Sequence, residues 1–234
     1  VAGLFKKPVI RLSGDRGLLV EFGDAIDPEI NRKVRAMFMA LTHESPGWVV
    51  EVIPTYRSLV ILYDPIKIHP REIEQYLEEL SGRLSQFEIP PPATTEIPVC
   101  YGEELGPDLP FVAENNSLTP EEVIKLHSEP SYQIFMIGFT PGFPFLGGLS
   151  EALFTPRLET PRTAVPAGSV GIANNQTGIY PIESPGGWQL IGRTPVKLFD
   201  PSRENPFLLK AGDLLKFRPI SREEYDGLAQ GEAA

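Results

Sequence analysis

Cysteine is nearly missing: one residue, Cys100, in a chain of 234 excludes an internal disulfide and a multi-thiolate metal site. Such usage fits a reducing compartment, and a lone cysteine reads as a small buried hydrophobe. Histidine is scarce too. His43, His69 and His127 stand far apart without an H-E-x-x-H pattern, so no metal is expected in this chain. Bases are outnumbered, 21 against 31 acids, for a net charge of −10. That lacks the phosphate-neutralising surface of a non-specific nucleic-acid binder, and no nucleic acid is expected as partner. Long apolar runs are absent: Leu59–Tyr63 is far too short to cross a bilayer, and Leu4-Phe5-Lys6-Lys7 leads into no signal-peptide core. A cytoplasmic protein without a membrane partner is the expectation.

Several catalytic signatures are missing as well. There is no G-x-x-x-x-G-K-[ST] phosphate loop, no strand-placed G-x-G-x-x-G, and no Met-Lys context of a biotin carrier. Ala167-Gly168-Ser169-Val170-Gly171 approximates a nucleophile elbow, but Pro166 precedes it and no helical period follows. All three histidines lie upstream, against the order of that hydrolase class. Ser169 is therefore expected to be a turn or backbone-capping residue.

What the chain has is proline and glycine, 25 and 21 residues, most conspicuous between Gly138 and Pro201. Proline lacks the N–H and glycine adds backbone entropy, so no long helix fits there. Apolar segments recur between the turn signals: Val170–Ile172, Ile179–Tyr180, Gln189–Ile191 and Val196–Phe199 read as short strands. So much backbone specification with few charges suggests a shaped site or an interface; a compact barrel with tight corners would need the same residues. Phe139, Phe143 and Phe145 are expected as core or as interface anchors.

Upstream, Val9–Leu12 and Leu18–Phe22 flank a hairpin signal at Gly14-Asp15-Arg16-Gly17. Asp27-Pro28-Glu29 opens a helix carrying Ile30, Val34, Met37, Phe38 and Leu41, which Pro46-Gly47 stops. Trp48–Ile53 and Ser58–Tyr63 form a second hairpin, and a helix follows from about His69 to near Phe87. The order β-β-α-β-β-α contains most of a ferredoxin-like split βαβ. Pro90-Pro91-Pro92 within Glu88–Thr95 reads as a semi-rigid linker. This places a small α+β domain at 1–92 and a second, mainly-β domain at 93–234. Ile97–Tyr101 could belong to either sheet. Asp108–Glu114 reads as a helical turn, Thr119-Pro120-Glu121-Glu122 as a capping box, and Tyr132–Phe139 as a strand. Phe207–Leu209 and Leu214–Phe217 read as a last hairpin around Lys210–Asp213, with a fraying tail from Ser221.

Three arginines remain as candidate anion anchors. Arg157 and Arg162 each follow a proline, and Arg193 lies between Gly192 and Thr194-Pro195. A planar guanidinium fork matches a carboxylate. Gln176, Thr177, Tyr180 and Trp188 could add donors, stacking surface and shape. Alternatively each arginine ties down backbone carbonyls or pairs with Glu151, Glu159 or Glu183.

GFTPGFPFLGGL, PRLETPRTAVPAGSVGIA, QTGIYPIESPGGWQLIGRTP and LFDP together strongly resemble the KipI/PxpB family, also labelled allophanate hydrolase subunit 1. LLVEFGD, PVCYGEELGPDL and LTPEEVIKLH extend the match over nearly the whole chain. Asn174 stands where that family's pattern suggests glycine; asparagine tolerates the left-handed backbone such a turn needs. The resemblance implies an N-terminal ferredoxin-like domain and a C-terminal cyclophilin-like β-barrel. It implies the B-type subunit of an ATP-dependent 5-oxoprolinase, with ATP used by the complex and no ATP motif in this chain. A related second subunit (KipA/PxpC-type) and a PxpA-type subunit are the implied partners. Similar domains form the carboxyltransferase part of urea carboxylase, and another member inhibits a sporulation histidine kinase, so half of such a carboxyltransferase, or a regulatory inhibitor with a histidine kinase as partner, are the alternative expectations for this chain. Arg157, Arg162, Gln176, Tyr180, Trp188 and Arg193 are the expected substrate-binding residues; no catalytic residue is assigned. Independent allophanate hydrolysis is not expected, because a nucleophile–base pair is missing.

Overall fold

The computed structural model describes residues 3–87 and 89–231, and within it the chain divides into two compact units, Val1–Pro91 and Pro92–Ala234. In the first, β1 (Leu4–Leu12) and β2 (Gly17–Gly23) pair antiparallel across the expected turn, Leu12 opposite Leu18. Helix α1 (Pro28–Glu44) starts where local chemistry says it must: the Asp27 carboxylate accepts the Glu29 and Ile30 N–H groups, and Pro28 fills a position whose N–H would have no partner. Strands β3 (Val49–Pro54) and β4 (Ser58–Tyr63) follow, then α2 (Pro70–Arg83), capped reciprocally by His69 and Glu72. The sheet order is β1-β2-β4-β3, all antiparallel. Leu18, Val20 and Phe22 from β2 and Leu59 and Ile61 from β4 meet Ile30, Val34 and Leu41 of α1 and Ile73, Leu77 and Leu80 of α2 in one core. Alternation along each strand places these residues on one sheet face. Glu88, the first residue of the expected linker, lies outside the described residues.

The second unit is built on a closed seven-stranded barrel. Strand β5 (Thr94–Tyr101) joins this barrel, which settles where Ile97–Tyr101 belongs. Helices α3 (Leu109–Asn115) and α4 (Pro120–Ser128) come next, α4 with the full Thr119/Glu122 capping box. Then follow β6 (Ser131–Ile137), β7 (Pro144–Gly147), β8 (Arg162–Val165), β9 (Ser169–Ala173), β10 (Gln176–Ile179), β11 (Ser184–Gly186), β12 (Gln189–Arg193) and β13 (Leu214–Pro219). The barrel runs in the order β10-β7-β6-β13-β5-β12-β9, and among the described residues β8 and β11 pair only with each other, as a separate ribbon. Asn174 adopts φ 53° at the β9–β10 turn, as its tolerance of the left-handed region allows.

Three local readings are corrected. Leu214–Pro219 does not close a hairpin with Phe207–Leu209: β13 lies parallel to β5 and antiparallel to β6, so both its edges are occupied. Val196–Phe199 is no strand; Pro195 cannot donate, and only Phe199 bridges, to Phe207. The segment after Ser221 is helix α5 (Arg222–Gly231) rather than a fraying tail. The Ser221 hydroxyl accepts the Glu224 N–H, and Arg222 pairs with Asp226 one turn on; the last part of that reading, 232–234, lies outside the described residues.

Inside the barrel a polar chain crosses the apolar core. His127 is fully buried, with Nδ1 2.8 Å from the Tyr101 hydroxyl and Nε2 2.8 Å from Thr177 Oγ1. Thr177 donates to the Gly171 carbonyl at 3.0 Å, so it accepts from Nε2–H, and Nδ1 accepts from Tyr101. The ring lies 4.4 Å from that of Phe217. Burial lowers the imidazole pKa to about 3, so the ring is neutral. Cys100 is buried, and that burial pushes its thiol pKa up, as for a packing residue.

Candidate functional site

The Gly138–Pro201 stretch builds a cavity of about 380 Å³ on the barrel unit. One wall starts where β6 ends. Gly138 N–H bonds the Phe143 carbonyl and Phe143 N–H bonds that of Thr140, closing a tight loop before β7. Phe139 holds φ 66°, unusual for a residue with a Cβ, and its ring is 69% exposed at the cavity. Phe143 is the hub: its centroid lies 5.6 Å from each of Phe139, Tyr180 and Trp188, edge to face, and 5.0 Å from Phe145. Each such pair adds about 0.5–1.5 kcal/mol beyond area burial.

The facing wall is the β8–β11 ribbon with the segment before it. Leu158 N–H donates to the Gly187 carbonyl at 2.8 Å, bringing Arg157 and Pro161 beside Pro185-Gly186-Gly187. Glycine at 186 lets Tyr180 approach closely: a Cβ there would stand 2.3 Å from its hydroxyl and displace it. Burial raises the Tyr180 pKa, with the Trp188 backbone and the charges of Arg157 and Arg162 acting the other way, so the phenol keeps its proton as a donor.

Of the six expected residues, Arg157, Tyr180 and Trp188 meet at this cavity. Arg157 is its one charged lining residue, exposed, and it makes no hydrogen bond or ion pair among the described residues. Arg162 lies behind the wall. Its Nη2 donates to both Asp108 oxygens at 2.8 and 2.9 Å, and its Nη1 to the Trp188 carbonyl at 3.1 Å. Asp108 also accepts the Leu190 N–H at 2.6 Å. The carbonyl-tying reading therefore describes Arg162, but its acid is Asp108 and not Glu151, Glu159 or Glu183. The partner sits far off in sequence, where no local pattern points to it. Gln176 opens β10 opposite Ala173, and Arg193 ends β12 opposite Ser169 and Cys100; neither lines the cavity.

Ser169 is a turn residue, as one of its two expected readings has it: its N–H closes on the Pro166 carbonyl at 3.2 Å just before β9, while its fully buried hydroxyl has no partner among the described residues and caps nothing there. Phe143 is core as expected, whereas Phe139 is surface. Sequence reasoning missed Asp108 and the Gly186-Gly187 pair; the glycine doublet between Pro185 and Trp188 was the available signal. A second cavity of about 280 Å³, between Gly168, Thr194–Lys197 and Tyr225, takes one wall from α5.

The barrel unit thus carries an aromatic cavity with a single charged lining residue among the described ones, beside a Gly/Pro-built ribbon. The chain belongs to the carboxyltransferase domain family, subdomains C and D, whose model matches residues 8–209. The B-type 5-oxoprolinase subunit of Bacillus subtilis (strain 168) is 43% identical, over 91% of this chain and 92% of its own length. That of Haemophilus influenzae is 51% identical, over 72% of this chain and 78% of its own. The solved structure of TTHA0988 superposes with a TM-score of 0.78 at 39% identity, over 88% of this chain but only 40% of that one. The resemblance carried by the sequence motifs is borne out.

Proposed function

We propose that this chain is the B-type subunit of a multi-subunit, ATP-dependent 5-oxoprolinase, which hydrolyses the cyclic amide of 5-oxoproline to glutamate. The observation that carries this reading is the match to relatives of that name, over 91% of the chain in one and 72% in the other. The cavity is in keeping with it: a planar ring suits the aromatic wall, and a carboxylate suits Arg157. Water adds across the ring C–N bond, leaving a new carboxylate and a free amine, and ATP hydrolysis by the complex drives the opening. This chain supplies walls and anchors in a cytoplasmic assembly with a related second subunit and a PxpA-type subunit, and is inactive alone. No catalytic residue is assigned to it. Within it, β1-β2-β4-β3 reads as a ferredoxin-like sheet in which the first strand takes the edge place of the last, and the barrel as cyclophilin-like, with the boundary near residue 92.

Producing the chain together with the two other subunit types, and following ATP-dependent glutamate release, tests the proposal. Activity is expected to vanish when this chain is left out; full activity without it rejects the reading. The family's description favours a second reading, one half of a biotin-dependent carboxyltransferase. Carboxyl transfer that requires a biotin carrier, with no glutamate release, would replace the first by the second.

A further inference from the structure

Resting on the 5-oxoprolinase reading, we infer that the cavity between Phe143, Trp188 and Arg157 selects a compact uncharged ring bearing one carboxylate, and rejects the opened product.

The charge inventory of the cavity is the basis. Arg157 is its one charged lining residue, and no described residue neutralises it. Arg162, nearest in sequence, is already engaged by Asp108 and the Trp188 carbonyl. The cavity therefore offers a planar fork to one carboxylate and has no second free cation on its lining. Among the described residues no carboxylate lines it either, so an ammonium group entering it would find no counter-charge there. The rest of the surface is aromatic rings, prolines and glycine backbone, which favour the face of a small ring. Tyr180 brings one phenolic donor to the wall next to Gly186, suited to a ring carbonyl.

A ring amide with one carboxylate matches this inventory group for group. Ring opening converts it into a chain with two carboxylates and an ammonium. The second carboxylate must shed water with the Arg157 fork already engaged, and the attraction of the ring faces for the ammonium returns only about 0.5–2 kcal/mol, less than its lost hydration costs. The site thus holds the substrate and expels the product by charge count alone.

The test is calorimetric titration of the full chain with three probes: 5-oxoproline, 2-pyrrolidinone (the same ring without the carboxylate) and glutamate. 5-Oxoproline is expected to bind at least about tenfold more tightly than either of the others. Arg157→Gln should bring 5-oxoproline down to the affinity of 2-pyrrolidinone while leaving the latter unchanged. Gly186→Ala, which displaces the Tyr180 hydroxyl, should weaken both ring compounds. Glutamate binding as tightly as 5-oxoproline, or an Arg157→Gln variant with unaltered selectivity, overturns the inference. Should the isolated chain bind none of the probes, the same comparison is made in the reconstituted assembly. There an unchanged KM for 5-oxoproline in Arg157→Gln overturns it equally. An assembly that works without this chain rejects the enzyme reading. A chain-dependent assembly indifferent to Arg157 rejects only the pocket assignment.

Discussion

Replacing Arg162 by alanine removes a clamp that reaches Asp108 and the Trp188 carbonyl at once, bringing together α3, the β8–β11 ribbon and β12. Three hydrogen bonds go: two to the Asp108 carboxylate at 2.8 and 2.9 Å and one to the Trp188 carbonyl at 3.1 Å. Breaking a buried pair from one side costs about 3–5 kcal/mol, because the remaining charge is stranded. Here the guanidinium is 30% exposed and Asp108 14%, and Asp108 keeps the Leu190 N–H, so about 2–3 kcal/mol is the better figure. At about 2–4 °C per kcal/mol, the barrel unit's thermal midpoint should fall by about 5–10 °C. Calorimetry with a parallel fluorescence melt reads the loss. A double-mutant cycle with Asp108→Asn and Arg162→Met should return a coupling of about 1–3 kcal/mol. Arg162→Lys should not rescue, since a point charge cannot bridge both carboxylate oxygens and reach the Trp188 carbonyl. A midpoint within about 1 °C of the unaltered protein, or a coupling near zero, would refute the clamp.

Arg157→Ala should behave in the opposite way, shifting stability by less than about 0.5 kcal/mol while kcat/KM of the reconstituted assembly falls at least about tenfold. For His127, the unfolded chain takes up a proton near pH 6.5, whereas the folded pKa is about 3. Stability from this group is therefore complete above pH 6.5 and declines as pH falls toward 3, by about 1.4 kcal/mol per unit. Urea melts of the barrel unit between pH 7 and 5 should show that slope, and His127→Gln should flatten it; an unchanged slope removes His127 as the cause. Gly168 holds φ +81° and a Cβ there would lie 2.2 Å from the Thr194 carbonyl oxygen, so Gly168→Ala should cost about 2–4 kcal/mol. Gly82, in α2 with open space around it, is the control: alanine there should stabilise the N-terminal unit by about 0.5–1 kcal/mol in the same melts.

Helix starts were legible because their causes lie within a few residues. Asp27-Pro28 and Thr119-Pro120 satisfy orphan N–H groups by local side chains, and both helices begin there. The same rule was available at Ser221, three residues before Glu224, and the small polar residues beyond it masked the signal of α5. Turns were legible where a residue type tolerates a special backbone, as at Asn174. The aromatic run was legible as important, but which ring would be core and which surface was not. Phe139 and Phe143 differ by four positions and by a φ of 66° at the first.

The sequence by itself determined the family, the α+β character of the first unit, and the Gly/Pro stretch as the place where the site would be built. The family follows from the resemblance of its long motifs; the other two follow from composition, periodicity and capping, which are short-range. Only the tertiary structure decided which strands became neighbours and which arginine stayed free. Strand β13 chose β5 and β6 over an adjacent segment because barrel closure satisfies both its edges. Arg162 and Arg157 look alike in the chain, each following a proline. Asp108, 54 positions from Arg162, neutralises that one and leaves Arg157 as the one charge on the cavity lining. Ion pairing across that distance depends on packing, and packing depends on the whole barrel.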